Sequence, residues 1–163
     1  EERKRLAEFT ELTKRFKKLA DSGALSVKII DGKMVVSLGS DVLFGAGSAH
    51  LSKEGMKTIK EVGAQLAAIP DKRYQVEGHT DNQPIQTTTF PSNWELSSVR
   101  ALAVVKLLVE SGVPASMLAA SARGEWEPVA SNANAFTRAK NRRIEIVVQA
   151  PIGDLVKLGQ LKM

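Results

Sequence analysis

The sequence predicts an α+β fold in which helices pack on one face of a mixed β-sheet. Two observations lead to this prediction. Asp31-Gly32, a strong two-residue hairpin signal, joins two short apolar runs, and beyond it helical patterns alternate with short apolar strands. Strands joined by helices require crossover connections, which place helices against a sheet. The chain has 163 residues, enough for one domain with its own core.

The first 22 residues are predicted to form an amphipathic helix that precedes this domain. Apolar residues recur there at helical spacing between lysines and arginines, and Ser22-Gly23 ends the pattern. Such a stripe packs against a core or a partner helix, or lies on a membrane surface. We therefore expect a linker helix over 1–22, a domain over 23–150 and a tail over 151–163. The stripe consists of Leu6, Phe9, Leu12, Phe16 and Leu19.

Within the domain, the predicted order of elements is hairpin, helix, strand, helix, weak strand, short helix and strand. Ser52 is placed to cap the first long helix, and Pro70 to stop it. Asn93 or a neighbour caps the second, which Gly112 ends. Residues 44–48 form a small-residue loop, either an ordinary turn or a close approach of the backbone to another group. Strands are expected over 27–30, 34–38, 74–77, 119–122 and 144–148, a short helix over 136–141, and buried helical stripes at Met56, Ile59, Val62, Leu66 and Ile69 and at Val99, Leu102, Val105 and Leu108.

Composition argues against several classes of chemistry. The absence of cysteine removes disulfides, thiolate metal sites and cysteine nucleophiles. His50 and His79 do not have a metal-ligand spacing, and no phosphate-binding glycine loop is present, so neither a metal nor a cofactor is predicted. The aromatic residues are scattered and follow no nucleic-acid-binding motif, so nucleic acid is not a predicted partner.

The charge and the ends of the chain carry less information. A net charge of +5 fits a solvated surface, and it also fits a polyanionic partner. No apolar run approaches the roughly 20 residues that a membrane span needs. Because the chain begins at Glu1 rather than with methionine, we expect it to be part of a longer protein whose export signal or membrane anchor lies upstream.

The segment from Gly78 to Leu108 is the strongest candidate for a binding site. Asp81 follows an apolar run, and Arg100 lies on the first turns of a patterned helix, with a polar loop between them. A guanidinium offers two parallel N–H donors to a carboxylate, the helix start near Asn93 offers free backbone N–H groups, and a carboxylate can hold an ammonium. These residues predict recognition of a ligand that carries both an ammonium and a carboxylate. The alternative is a plain internal salt bridge between Asp81 and Arg100.

Catalysis is not predicted. Ser92, His79 and Asp81 are the residue types of a hydrolytic triad, but His79 and Asp81 are only two residues apart at an expected strand end. Asp81 and Glu125 could be paired carboxylates for glycoside cleavage, yet nothing in the sequence fixes their separation. A ligand-binding acid and a loop-capping acid explain the same two residues more simply.

The helix that begins near Asn93 carries a long signature, Asn-x2-Leu-Ser-x2-Arg-Ala-x2-Val-x3-Leu, matched at every specified position. Gly78–Asp81 upstream and 141–146 near the end match the same family pattern, and the similarity runs from about Val35 to Val148. The chain strongly resembles the OmpA/MotB-type peptidoglycan-associating domain. The loop HTDNQPI followed by FPSNWELS is closer to the MotB branch than to OmpA or to peptidoglycan-associated lipoproteins. The signature residues are Asn93, Leu96, Ser97, Arg100, Ala101, Val104 and Leu108.

The resemblance implies a βαβαβ-type mixed sheet and a ligand, the peptidoglycan stem peptide recognised through its diaminopimelate. This residue carries an ammonium and a carboxylate on one carbon at its far end. Asp81 would meet the ammonium and Arg100 the carboxylate, while Arg142 or Arg143 would add a second basic contact, or one of them would pair with a structural acid. Gly45 stands where many relatives carry Asp, which removes one possible contact. The site residues implied in this way are Asp81, Arg100, Asn93, Thr80, Leu96, Ser97, Arg142 and Arg143.

The function implied by the resemblance is non-catalytic anchoring of a larger envelope protein, a MotB-like stator subunit, to the cell wall in the periplasm. The implied partners are peptidoglycan, a second copy of the chain and an inner-membrane subunit reached through an upstream segment. Two alternatives stay open: an OmpA- or lipoprotein-like anchor that stabilises the envelope, and a dimerisation module whose site is a relic.

Overall fold

A computed structural model describes residues 2–69 and 72–149. The expected tail over 151–163 lies outside the described residues. Five strands form one sheet in the order β1-β2-β5-β3-β4, with β3 and β4 parallel and the other pairs antiparallel. The predicted mixed sheet is therefore confirmed. The strands are β1 Ser26–Ile30, β2 Lys33–Gly39, β3 Arg73–His79, β4 Leu118–Gly124 and β5 Arg143–Gln149.

The turn between β1 and β2 follows the predicted chemistry. Asp31 has φ 51° and Gly32 has φ 76°, and this pair of positive values is characteristic of the two-residue turns that match the twist of a hairpin. The register places Val27 opposite Val36, so the two apolar runs face each other as expected.

The described helices pack with the sheet in the predicted arrangement. Helix α4 lies on β3 and β4, α3 packs on α4, and α1 packs on α3 and β1. The sequence did not predict the four-residue α2, which follows β2 directly. In the described part of the chain, no helix is both long and apolar enough to cross a membrane. The helices are α1 Glu2–Asp21, α2 Ser40–Leu43, α3 Lys53–Ala67, α4 Asn93–Glu110 and α5 Ala135–Asn141, with a 3-10 turn at Ala115–Met117.

The two faces of the sheet differ in chemistry. Along β5, Ile144 and Ile146 point into the hydrophobic core, whereas the alternate residues Arg143 and Glu145 are buried on the opposite face. That second face therefore carries charged side chains shielded from water, and they need partners there.

The buried stripe predicted for α4 was wrong at two positions. Val99 and Leu102 are each 41% exposed, whereas Ala101 and Val104 are fully buried. This helix has apolar residues on more than one face, so periodicity leaves two solutions, and packing on β3 and β4 selects the face that also carries the signature residues. Met56 of α3 is likewise exposed, while the rest of the described stripe packs inward.

Helix α1 contributes directly to the core. Phe16 is fully buried in the main hydrophobic cluster, and Leu19 packs against that cluster. The C-terminal part of α1 therefore docks on the domain. The side chains of Leu6, Phe9 and Leu12 lie outside the described residues.

Candidate ligand-binding site

The candidate site is built where β3 ends against the first turns of α4. Gly78 permits this closeness, because a Cβ at that position would lie 2.1 Å from the carbonyl oxygen of Ser97. The backbone N–H of Gly124 donates to Ser97 Oγ at 3.2 Å, and the N–H of Thr80 donates to the Gly124 carbonyl at 2.9 Å. Helix α4 and the ends of β3 and β4 thus form one rigid corner.

The start of α4 is a capping box. Ser92 is the cap, its Oγ accepts from Trp94 N at 3.2 Å, and it makes a short hydrogen bond with the Glu95 carboxylate. The Ser92 hydroxyl lowers the pKa of Glu95. Asn93, predicted as a possible cap, instead donates from Nδ2 to the carbonyl of Gln83 at 3.1 Å and holds the polar loop against the helix.

Asp81 is buried under Arg142. Its Oδ2 accepts from Arg142 Nη1 at 2.6 Å and its Oδ1 accepts from Gln83 N at 3.0 Å, while only 7% of the residue is exposed. Thr80 Oγ1 donates to the Asp81 carbonyl at 2.9 Å. Among the described residues, Arg100 does not lie within ion-pair distance of Asp81, so the internal salt bridge considered above is formed by a different arginine.

Asp41 is a candidate site residue that sequence reasoning missed. Its two oxygens accept from Arg142 Nε at 2.9 Å and Nη2 at 2.8 Å, so Arg142 bridges Asp41 and Asp81. The hydrogen bond that Arg142 donates lowers the pKa of Asp41. The same bond, together with the one that Arg142 donates to Asp81, raises the pKa of Arg142 against the opposing effect of burial. Asp41 follows β2, far from the signature in sequence, and no motif pointed to it.

Arg100 holds the small-residue loop at 44–48. Its Nε donates to the Ser48 carbonyl at 2.8 Å, its Nη2 donates to the Gly45 carbonyl at 3.2 Å, and its guanidinium lies 5.0 Å from the centroid of the Phe44 ring. This loop is therefore a close approach of the backbone, one of the two options considered above. Burial lowers the pKa of Arg100, and the charges of Asp41 and Asp81 partly oppose that shift. Within the described residues Nη1 makes no hydrogen bond, so it is available to a ligand.

Four ionised groups thus share one corner, and their formal charges cancel. Asp81 and Arg100 are buried in it, whereas Arg142 is partly exposed and Asp41 is exposed. Asp41, Asp81 and Arg142 all act electrostatically on Arg100. A ligand that is itself zwitterionic can enter such a cluster without leaving a net buried charge, whereas a simple anion or cation would leave one. Leu96 and Ser97 are buried on α4, and Ser97 lies against Gly78 and Gly124 at the ends of β3 and β4.

Arg143 lies apart from this corner. Its Nε is 2.5 Å from Glu145 Oε2, and it also donates to the carbonyls of Asn141 and Glu127, each at 2.9 Å. Of the two arginines considered from sequence, Arg142 reaches Asp81 and Arg143 pairs with a structural acid.

Beside Arg143, the outer face of the sheet carries a second polar cluster. His79 Nε2 lies 3.1 Å from Glu77 Oε1 and 3.8 Å from Glu145 Oε1, and these three residues are close enough together to hold a metal ion. Arg123 Nη2 is 3.0 Å from Glu77, and Arg143 binds Glu145, so arginines already neutralise both carboxylates. A dication there would add uncompensated charge. His79 contacts these two acids rather than Asp81 or Ser92. The three candidate residues therefore do not form a hydrolytic triad.

Burial acts to raise the pKa of Glu77, but hydrogen bonds from His79 and Gln75 and the charge of Arg123 outweigh it, and the net pKa is lowered. The cluster is thus built to keep Glu77 ionised.

Asn141 is a second residue whose role sequence reasoning missed. It is fully buried, its Oδ1 accepts from the backbone N–H groups of Val129 and Ala130 at 2.8 and 2.9 Å, and its Nδ2 donates to the Ala130 carbonyl at 2.9 Å and to Asn132 Oδ1 at 2.8 Å. This one side chain organises the loop after β4 and so sets the position of Arg142, which follows it.

Fold and site together define an OmpA-type domain, a mixed sheet whose third strand ends in a buried acid beside the signature helix. Residues 43–142 match the OmpA family, and the chain belongs to that family. It is 36% identical over 125 residues to Motility protein B of Bacillus subtilis (strain 168), which is 76% of this chain and 48% of that protein. The chain thus spans about half the length of that relative.

Two further similar proteins have names that refer to peptidoglycan or to the cell wall. The chain is 38% identical over 110 residues to peptidoglycan-binding protein ArfA of Mycobacterium bovis, covering 68% of this chain and 32% of that protein. Its fold matches the solved structure of the cell wall anchor of the T6SS from Pseudomonas aeruginosa with a TM-score of 0.78 and 35% identity, covering 85% of this chain and 96% of that one. The predicted relationship to the OmpA/MotB-type domain is confirmed.

Proposed function

We propose that this domain binds peptidoglycan without cleaving it, through the ammonium and carboxylate at the free end of diaminopimelate, and so anchors a larger envelope protein to the cell wall. The observation that carries the proposal is the charge-balanced corner of Asp41, Asp81, Arg100 and Arg142. Membership of the OmpA family supports it, as do a relative named for peptidoglycan binding and a structural neighbour described as a cell wall anchor.

Binding requires an exchange of partners at Asp81. The ligand ammonium takes the place of Arg142 Nη1 on Oδ2, and Arg142 keeps its two bonds to Asp41, so no buried charge loses its last partner. The ligand carboxylate then meets Nη1 of Arg100, whose other donors stay on the loop carbonyls. Thr80 and Asn93 hold the loop that presents Asp81.

Co-sedimentation with diaminopimelate-type sacculi tests this proposal. Asp81→Asn should weaken binding tenfold or more, because a hydrogen bond to a charged group contributes about 1.5–3 kcal/mol and about 1.4 kcal/mol is tenfold in affinity. Asp31→Asn is the matched control, since it removes the same charge from a β-turn whose positive φ asparagine tolerates. Free meso-diaminopimelate should compete, high salt should weaken binding, and no soluble muropeptides should be released. Equal binding by Asp81→Asn and the parent would reject the site.

For the whole protein we propose a MotB-like stator subunit, anchored in the inner membrane, with this domain in the periplasm and an inner-membrane partner subunit. The similarity to Motility protein B supports this assignment. The T6SS anchor, which matches over 96% of its length, favours a secretion-system anchor as the second candidate. The gene upstream of Glu1 separates these from other anchors, since a lipidated cysteine would indicate a lipoprotein and a run of alternating strands a porin. Deleting the gene and scoring motility against secretion decides between the two candidates.

We further propose that the protein works as a homodimer in which the first half of α1 contributes an apolar stripe. Light scattering of the chain should give the mass of a dimer, and the double change Leu6→Glu, Phe9→Glu should give a monomer. Both changes leave Phe16, the described core residue of α1, in place. A monomeric parent chain would show that this helix does not dimerise the domain.

A further inference from the structure

Two tryptophans lie side by side on the surface next to the candidate site. Trp94 is 50% exposed and Trp126 is 68% exposed. Both indoles approach Gly124, because a Cβ built there would lie 3.4 Å from Trp94 Cε3 and 3.5 Å from Trp126 Cδ1. The two rings therefore meet over one point of the backbone, and a larger residue at Gly124 would press on both.

Two tryptophans in this position contribute little to folding for their size. A tryptophan side chain buries about 150–250 Å² when it packs fully, and these two leave half or more of that area in water. Within the described residues neither indole N–H has a hydrogen-bond partner. Adjacent exposed aromatic rings with free N–H donors at their rims are more characteristic of a ligand surface than of a core.

The pair is continuous with the corner that contains Asp81 and Arg100. Gly124 accepts from Thr80 N and donates to Ser97 Oγ, so the backbone beneath the rings is bonded to both elements of the site. Trp94 precedes Arg100 by six residues on α4, which is about 9 Å along a helix axis. A stem peptide holds diaminopimelate as its third residue from the sugar, and three extended residues span at most about 10–11 Å. The axial separation therefore lies within the reach of that peptide.

We propose that Trp94 and Trp126 form a stacking platform for the sugar rings of a glycan strand built from β-linked N-acetylated amino sugars. The apolar C–H face of a pyranose lies on an indole, while its hydroxyl and acetamide groups accept from the indole N–H or face water. The assignment rests on the proposed function, because the wall polymer is what brings sugar and stem peptide together. With this platform, the domain binds both the sugar strand and the stem peptide of that polymer rather than the peptide alone.

Intrinsic fluorescence tests the platform directly, because these are the two tryptophans of the chain. Titration with peptide-free glycan strands, prepared from amidase-treated sacculi, should shift the emission and saturate. In co-sedimentation with intact sacculi, Trp94→Phe should retain part of the binding, whereas Trp94→Ala and Trp126→Ala should each lose at least fivefold in affinity. Phe136→Ala, which removes another exposed aromatic ring, is the matched control and should bind like the parent.

Stem peptide without sugar provides the complementary measurement. It should bind the tryptophan variants as tightly as the parent and should fail on Asp81→Asn, while peptide-free strands should bind Asp81→Asn normally. An unchanged emission on addition of peptide-free strands, or tryptophan variants that bind them like the parent, would overturn the platform even if stem peptide still binds. Failure of the parent to bind stem peptide would instead reject the proposed function. The glycan result would then be interpreted without it.

Discussion

Replacing Arg100 with lysine keeps the positive charge but removes the planar group that the structure uses in two directions. Nε and Nη2 hold the carbonyls of Ser48 and Gly45, and the guanidinium also lies over the ring of Phe44. A lysine ammonium is a point charge on a flexible stem and can keep one of these carbonyls at best. Each hydrogen bond to a charged group contributes about 1.5–3 kcal/mol, so we expect the free energy of unfolding to fall by about that amount.

This loss corresponds to a decrease of roughly 3–12 °C in Tm for a chain of this size. Binding to sacculi should also fall about tenfold, because Nη1, the donor left for the ligand, disappears together with the fork. Arg73→Lys is the matched control, since Arg73 is exposed at the start of β3. Thermal melting followed by circular dichroism and calorimetric titration of meso-diaminopimelate measure the two effects. A variant that melts and binds like the parent would refute both the role of Arg100 in the loop and its role in the site.

Three further predictions concern the frame around the site. Gly78→Ala should lower the free energy of unfolding by about 3 kcal/mol or more, because its Cβ would lie 2.1 Å from a carbonyl oxygen of α4. Gly39→Ala is the control, since its Cβ would meet nothing within 4 Å, and it should change stability by less than about 0.5 kcal/mol. Denaturant melts that give equal values for the two variants would contradict the close approach. The folded pKa of Glu77 lies below its usual 4.5, so its stabilising contribution is present above that pH and is lost as the pH falls through the folded value. Glu77→Gln should therefore be less stable than the parent at pH 7 and lose less stability on acidification, and parallel stability–pH curves would be the contrary result. Asn141→Ala should lose about 2 kcal/mol or more together with protection of the amides at 129 and 130 from hydrogen exchange, and retained protection would show that the loop does not depend on that side chain.

Much of the fold and the main residues of the candidate site could be predicted from sequence, because the signals concerned are local. The hairpin at Asp31-Gly32 needed only turn chemistry, and the observed positive φ values follow from it. The cap at Ser52 and the stop after α3 are equally local. Asp81 and Arg100 could be singled out because they flank one polar loop and belong to one signature, although their individual contacts could not.

The tertiary structure decided between alternatives that local sequence patterns could not distinguish. Helix α4 carries two possible apolar stripes, and only its packing on β3 and β4 exposes Val99. Arg142 and Arg143 are neighbours with the same chemistry, and the register that sets Arg143 opposite His79 sends it to the acids of the outer face, while Arg142 bridges Asp41 and Asp81. A sequence records which residue types are present and their spacing along the chain. Which charges become neighbours in space depends on strand register and on contacts between distant segments, and these exist only after the sheet has formed.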